Sequence, residues 1–278
     1  MIIDSHQHFW KYNPVRDAWI DETMGVLKRN FLPEDLAPIL KENEVSGCIA
    51  IQADQSENET EFLLLCAAVN PFIKGVVGWV DLCASNLEER LAHFSKNPLF
   101  KGVRHIVQAE KEDYLLREEV QRGIGKLLKY NLTFDLLVYP HQLPAAVTLA
   151  NQFPEQKFVL DHLAKPFFSE PLSKHWLTQI ARLSENQNVF CKLSGMVTET
   201  KEYQFNAEDF TPFMDVVFEH FGPDRVMFGS DWPVCLLAAE YQKVLGIVLH
   251  YINSYSQSEK DKILAKNAIS FYNLKTAL

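Results

Sequence analysis

Missing from this 278-residue chain is any pair of cysteines spaced as CxxC; its five, Cys48, Cys66, Cys83, Cys191 and Cys235, are scattered and odd in number. They suggest no disulfide framework and read as small, reduced core residues of an intracellular, cytoplasmic protein. No basic segment precedes an apolar stretch at the start, and no apolar run reaches the ~18 residues of a membrane span. Positive charge is in deficit, with 27 Lys and Arg against 36 Asp and Glu, a net −9. Phosphate binding depends on clustered Lys and Arg, so nucleic acid is not an expected partner. No linker or low-complexity tract divides the chain. No Gly-rich phosphate turn follows the first apolar run, which removes the main signal of a dinucleotide fold.

What is present is a rhythm. With 47% apolar and 23% charged residues the chain has the makings of a substantial core. Short β-rich runs fall at 2–8, 47–53, 75–82, 102–107, 133–139, 157–162, 189–195 and 226–231. Most are continuous rather than alternating, as expected for parallel strands buried on both faces. Helical segments lie between them. The stretch 33–44 opens on Pro and acidic residues, and 85–96 carries Ser85 three residues before Glu88, a capping-box spacing. The segment 258–272 makes a closing helix. Eight β-then-α units in this length predict a single-domain (β/α)8 barrel over 1–278, the architecture that typically takes ~250 residues.

In such barrels the chemistry sits where strands end. Polar residues collect there. His6 and His8, two apart after Asp4, share one face of the first strand. Asp81 ends the third strand, Arg104 and His105 the fourth, Tyr139 the fifth, and Lys192 lies on the seventh. Asp161 and His162 end the sixth; alternation lets only one face the axis, and His162 is assigned inward. The eighth ends in Asp231, and Trp10 and Trp232 flank the first and last strand ends. Each has a plain structural reading: a capping Asp, a core His, a packing Trp. Together they do not, because three buried imidazoles and a carboxylate around one axis cost several kcal/mol unless they bind something.

The strings DSHQHFW, GVRH, FVLDHLAKP and FGSDWPV, spread over essentially the whole chain, resemble the amidohydrolase superfamily. They are most similar to its sugar-lactonase branch, of the L-fuconolactonase and L-rhamnonolactonase type, known as TIM-barrel metal-dependent hydrolases. The resemblance implies a lactone-opening hydrolase of carbohydrate metabolism. It implies a site built on His6, His8, His162 and Asp231, with one divalent ion, Zn²⁺ for preference, or metal-independent hydrolysis as the equal alternative. Strand four offers Arg104 rather than Lys and strand five no His, which speaks against a bridged two-metal centre.

On this reading Asp231 is the general base, and His6, His8 and His162 serve the carbonyl oxygen through a metal or directly. Arg104, His105, Tyr139, Trp10 and Trp232 are candidates for binding a small lactone. A metal-dependent decarboxylase and a non-catalytic sugar-acid binder are the rivals. The lactone's identity, the oligomeric state (an oligomer is allowed) and the roles of Asp81 and Lys192 stay open.

Overall fold

Eight parallel strands lie side by side in chain order in the computed structural model, which describes residues 1–275. They are β1 (Ile3–Gln7), β2 (Gly47–Ile51), β3 (Ile73–Gly78), β4 (Phe100–His105), β5 (Thr133–Leu136), β6 (Phe158–Leu160), β7 (Val189–Leu193) and β8 (Val226–Phe228). A bridge between Gln7 and Trp232 closes the ring, tightened by Asp231 N–H donating to His6 O at 2.8 Å and His8 N–H to Trp232 O at 2.7 Å. The expected (β/α)8 barrel is therefore what forms. The last three residues of the expected 1–278 span lie outside the described residues. Among the described residues no helix is long and apolar enough to cross a membrane.

The helices that follow the strands are α1 (Pro33–Glu42), α2 (Glu57–Val69), α3 (Leu87–Phe94), α4 (Glu118–Ile124), α5 (Leu143–Gln152), α6 (Lys174–Ser184), α7 (Thr211–Phe221) and α8 (Tyr241–Tyr251). One reading needs correction and another refinement. The helix at 85–96 starts later, with Asn86 before its first residue and no side-chain cap; the expected Ser85 capping box does not form. Ser56 does cap α2, accepting from Glu59 N–H. The second is a refinement only: the closing helix forms as expected, with α9 (Gln257–Asp261) and α10 (Asn267–Phe271) made continuous by a π turn over Lys262–Lys266.

The barrel interior is layered. At the bottom Ile3, Ile51, Val77, Val159 and Met227 pack on Ala268, Phe271 and Tyr272, so the last helical segment plugs that end. A second, larger apolar core lies between sheet and helices. Above the plug the inward residues turn charged. Most strands are shorter than their apolar runs at the upper end because those polar residues leave the ladder to line the site. Eight staves thus carry the chemistry on one rim.

Candidate active site

β1 supplies two of the site's imidazoles, but not by simple alternation. Its pairing with β2 shifts register between Asp4 and Gln7. His6 and His8 both turn to the axis, whereas Asp4 does not share their face. Asp4 is buried toward α8, accepting from Ser230 Oγ at 2.6 Å, Ser230 N–H at 2.9 Å and Tyr241 Oη at 3.0 Å. Burial pushes its carboxyl up to about 6 against those hydrogen bonds. It anchors the chain one residue before Asp231.

Three imidazoles converge on one carboxylate oxygen. Asp231 Oδ1 lies 3.3 Å from His8 Nε2, 3.7 Å from His6 Nε2 and 3.8 Å from His162 Nε2. All four residues are buried. His8 Nδ1–H donates to Ile51 O at 2.8 Å, which fixes the ring with Nε2 facing Asp231. Arg104 Nη1 lies 3.2 Å from His6 Nε2, while Lys192 Nζ at 3.2 Å and Asp161 Oδ1 at 3.3 Å face His6 Nδ1, so this ring is held between two cations and a carboxylate. His162 Nδ1 is held by Ser194 Oγ at 2.8 Å. Burial pushes His6 well below its ordinary value despite Asp161, and pushes His162 down to about 4 despite Asp231 and Asp161. Burial alone would raise Asp231, but His162, the contact with His8, and His6 hold it well below the usual carboxylate range.

Three imidazole nitrogens gathered about one carboxylate oxygen make a donor set suited to a cation. Ligands about 3.3–3.4 Å apart surround a tetrahedral ion with bonds of ~2.0–2.1 Å, and histidine ligands commonly anchor their other N–H on a carbonyl, as His8 does. The donor set fits one divalent ion, with His6, His8 and Asp231 forming a compact group and His162 adjoining.

The sixth strand overturns one expectation. Both Asp161 and His162 reach the interior. Asp161 directly follows the end of β6, whereas His162, Leu163, Ala164 and Lys165 all have positive φ (55°, 54°, 61°, 51°). This left-handed turn reverses the alternation that would have sent one side chain outward. Each such residue costs about 1–2 kcal/mol. Asp231 (φ 58°) and Tyr203 (φ 58°) share the conformation, so the strain collects around the site.

Beneath the imidazoles lies a dry ionic layer. Lys192 Nζ pairs with Asp135 at 2.6 Å and Asp161 at 2.9 Å, and Arg104 pairs with Asp161 at 3.1 Å and with the Gln52 carbonyl. Burial raises Asp135 to about 6 against Lys192, while in Asp161 the charges of Lys192, His6 and Arg104 overcome burial and hold it low. Arg104 thus meets neither Asp81 nor Asp135. Lys192 is a buried counter-ion, and Asp81, exposed, accepts from Cys83 N–H in a turn.

Above this layer opens a cavity of about 450 Å³, within the ~300–1,000 Å³ of small-molecule sites. His8, His162, Asp231, Arg104, Tyr139 and Trp10 reach its wall. Two expected binding residues do not. His105 turns away, stacked on Tyr114 at 4.6 Å between Trp79 and Glu110, because it alternates with Arg104. Trp232 is 1% exposed and packs edge-on against Phe9 and Phe31. Lys165, Glu199, Thr198, Tyr203, Gln108 and Trp19 also line the wall, and the sequence singled out none of them individually; they lie in loops and short 3-10 turns. Lys165 was visible in FVLDHLAKP, where a lysine follows His162 by three.

Gly195 makes room for His162. A Cβ there would lie 2.4 Å from His162 Nδ1, and its φ of +61° suits glycine. Gly195→Ala is expected to displace the ring and lower turnover about 10²-fold while far-UV circular dichroism stays unchanged. Wild-type kinetics in that variant would contradict the placement of His162.

Comparison with known proteins gives the family and agrees with the barrel fold. The amidohydrolase family model matches residues 3–274. The chain is 37% identical to an L-fucono-1,5-lactonase of Burkholderia multivorans, covering 98% of this chain and 96% of that one. It is 23% identical to an L-rhamnono-gamma-lactonase of Scheffersomyces stipitis, covering 98% of both. A crystal structure of an amidohydrolase from Burkholderia multivorans with bound Zn superposes with a TM-score of 0.95, at 36% identity, over 99% of this chain and all of that one.

Proposed function

The chain belongs to the amidohydrolase family, and on that premise we propose that it is a hydrolase opening a sugar lactone, of the L-fucono-1,5-lactone or L-rhamnono-lactone type. One observation carries the reading: a buried Asp231 carboxylate at the centre of three imidazoles, on the floor of a cavity of ligand size.

Lactone opening needs a nucleophilic water, a polarised carbonyl and a proton for the leaving ring oxygen. Asp231 accepts one proton from water as its oxygen bonds to the carbonyl carbon. The tetrahedral oxyanion collapses, the bond from that carbon to the ring oxygen breaks, and the proton held on Asp231 passes to the ring oxygen. The product is an open-chain hydroxy acid, which ionises to its carboxylate. His6, His8, His162 and Asp231 would hold a divalent ion, Zn²⁺ by its fit to imidazole and carboxylate, which polarises the carbonyl and acidifies water when bound. Arg104, its fork engaged by Asp161, His6 and Gln52, positions the His6 ring rather than the substrate. Tyr139 and Trp10 offer a hydroxyl and an aromatic face to the sugar ring. A cytoplasmic setting suits the free cysteines, and the substrate is a small molecule rather than nucleic acid or membrane.

The test is a panel of aldonolactones followed by proton release, with chelator-treated and Zn²⁺-reloaded protein in parallel. Turnover on the panel, rising on reloading alongside a zinc content near one per chain, is expected. Release of carbon dioxide from an aromatic or enol acid with silence on every lactone would transfer the site to the decarboxylase reading, which the lactonase relatives do not favour.

A further inference from the structure

On the wall beside the imidazoles, Lys165 and Glu199 form an ion pair whose hydrogen-bonding capacity is only partly used. Lys165 Nζ lies 2.9 Å from Glu199 Oε1, and the two side chains are 17% and 21% exposed. Among the described residues no other side-chain or backbone acceptor reaches Lys165 Nζ, and no donor reaches Glu199 Oε2. Two ammonium hydrogens and one carboxylate oxygen are left for whatever enters the cavity. The pair is fixed in place. The left-handed turn that begins at His162 ends at Lys165, whose amide donates to His162 O at 2.7 Å, and the Glu199 carbonyl accepts from Phe168 N–H at 3.0 Å. The Lys165 ammonium lies 5.8 Å from the centre of the Tyr139 ring, so an aromatic face borders the pair.

The charge pattern of the wall narrows the ligand. At this wall the Lys165 ammonium is matched by the Glu199 carboxylate. An anion there meets a carboxylate and a cation meets an ammonium, whereas a neutral molecule with donors and acceptors side by side satisfies both. Vicinal hydroxyls have that character, each able to donate to a carboxylate and accept from an ammonium.

Resting on the lactonase reading above, we infer that Lys165 and Glu199 are the specificity-determining subsite, gripping neighbouring ring hydroxyls of the sugar lactone over the face of Tyr139. Removing either partner loses the contacts to hydroxyls, and a ring without hydroxyls never made them.

The measurement is the ratio of kcat/KM for L-fucono-1,5-lactone over δ-valerolactone, in wild type, Lys165→Met and Glu199→Gln. The ratio is expected to fall about 10²-fold in each variant, mostly through KM for the hydroxylated substrate. An unchanged ratio overturns the subsite, whatever happens to either rate alone. Glu199→Gln keeps the side chain's shape and carries the test if Lys165→Met does not fold. A second arm does not depend on turnover: calorimetric binding of 1,5-anhydro-L-fucitol, a ring polyol without a carbonyl. Its affinity is expected to drop at least about tenfold in either variant. Affinity within twofold of wild type, or no binding to wild type, overturns the inference. Polyol binding lost in the variants, with no lactone turned over by wild type, leaves the subsite standing and removes the lactonase reading alone.

Discussion

Asp231→Asn is expected to lower kcat on a sugar lactone by about 10³-fold or more while the far-UV spectrum stays that of the wild type. The amide is nearly isosteric, so the loop keeps its anchors: the Asp231 N–H still donates to His6 O, and Ser230 still bonds Asp4. What disappears is the proton acceptor. The charge that faces His6, His8 and His162 disappears with it, so zinc retention is expected to fall in the same variant. A variant that keeps wild-type turnover would show that the proton goes elsewhere. Restored Asp chemistry through Asp231→Glu is not expected, because an added methylene carries the carboxylate away from the point where His6, His8 and His162 converge.

The second large effect is on stability. Lys192→Met is expected to cost about 3–5 kcal/mol, because it strands the Asp135 carboxylate in a layer sealed from bulk solvent. For a chain of this size that corresponds to a drop in Tm of about 5–8 °C. Its origin can be separated from lost packing by adding Asp135→Leu. Removing one stranded carboxylate together with its lysine is expected to restore part of the loss. Asp161 keeps Arg104 at 3.1 Å and so remains compensated. A double variant less stable than Lys192→Met would show that packing, rather than an unpaired charge, sets the cost. Thermal melts followed by circular dichroism read both.

The residues visible in the sequence are those that strand periodicity controls. Continuous apolar runs marked all eight strands, and His6, His8, His162 and Asp231 stood at their ends because barrel strands must finish in polar residues to leave the core. Where the backbone departs from strand geometry, pattern reasoning gave out. The register shift in β1 sends Asp4 away from His6 and His8, although all three share a period of two. The left-handed turn at 162–165 brings Asp161 and His162 to the same interior, and no local signal marks four such residues without glycine. His105 and Trp232 are polar or aromatic at the right height but on the wrong side. Lys165 and Glu199 meet across 34 positions of sequence, a pairing that only the tertiary fold sets. The ionic layer was half legible. A buried Lys192 demanded a partner, yet nothing in one sequence says which of Asp135 and Asp161 it takes, and it takes both.

The most direct measurement is hydrolysis of L-fucono-1,5-lactone in ¹⁸O-labelled water, with wild type and Asp231→Asn side by side. Wild type should place one label in the carboxylate of the product and none in the hydroxyl released from the ring, at a rate proportional to enzyme, with Asp231→Asn close to the uncatalysed background. Product formation no faster than in buffer, or label appearing at the ring hydroxyl, would contradict attack by a water that Asp231 deprotonates at the carbonyl.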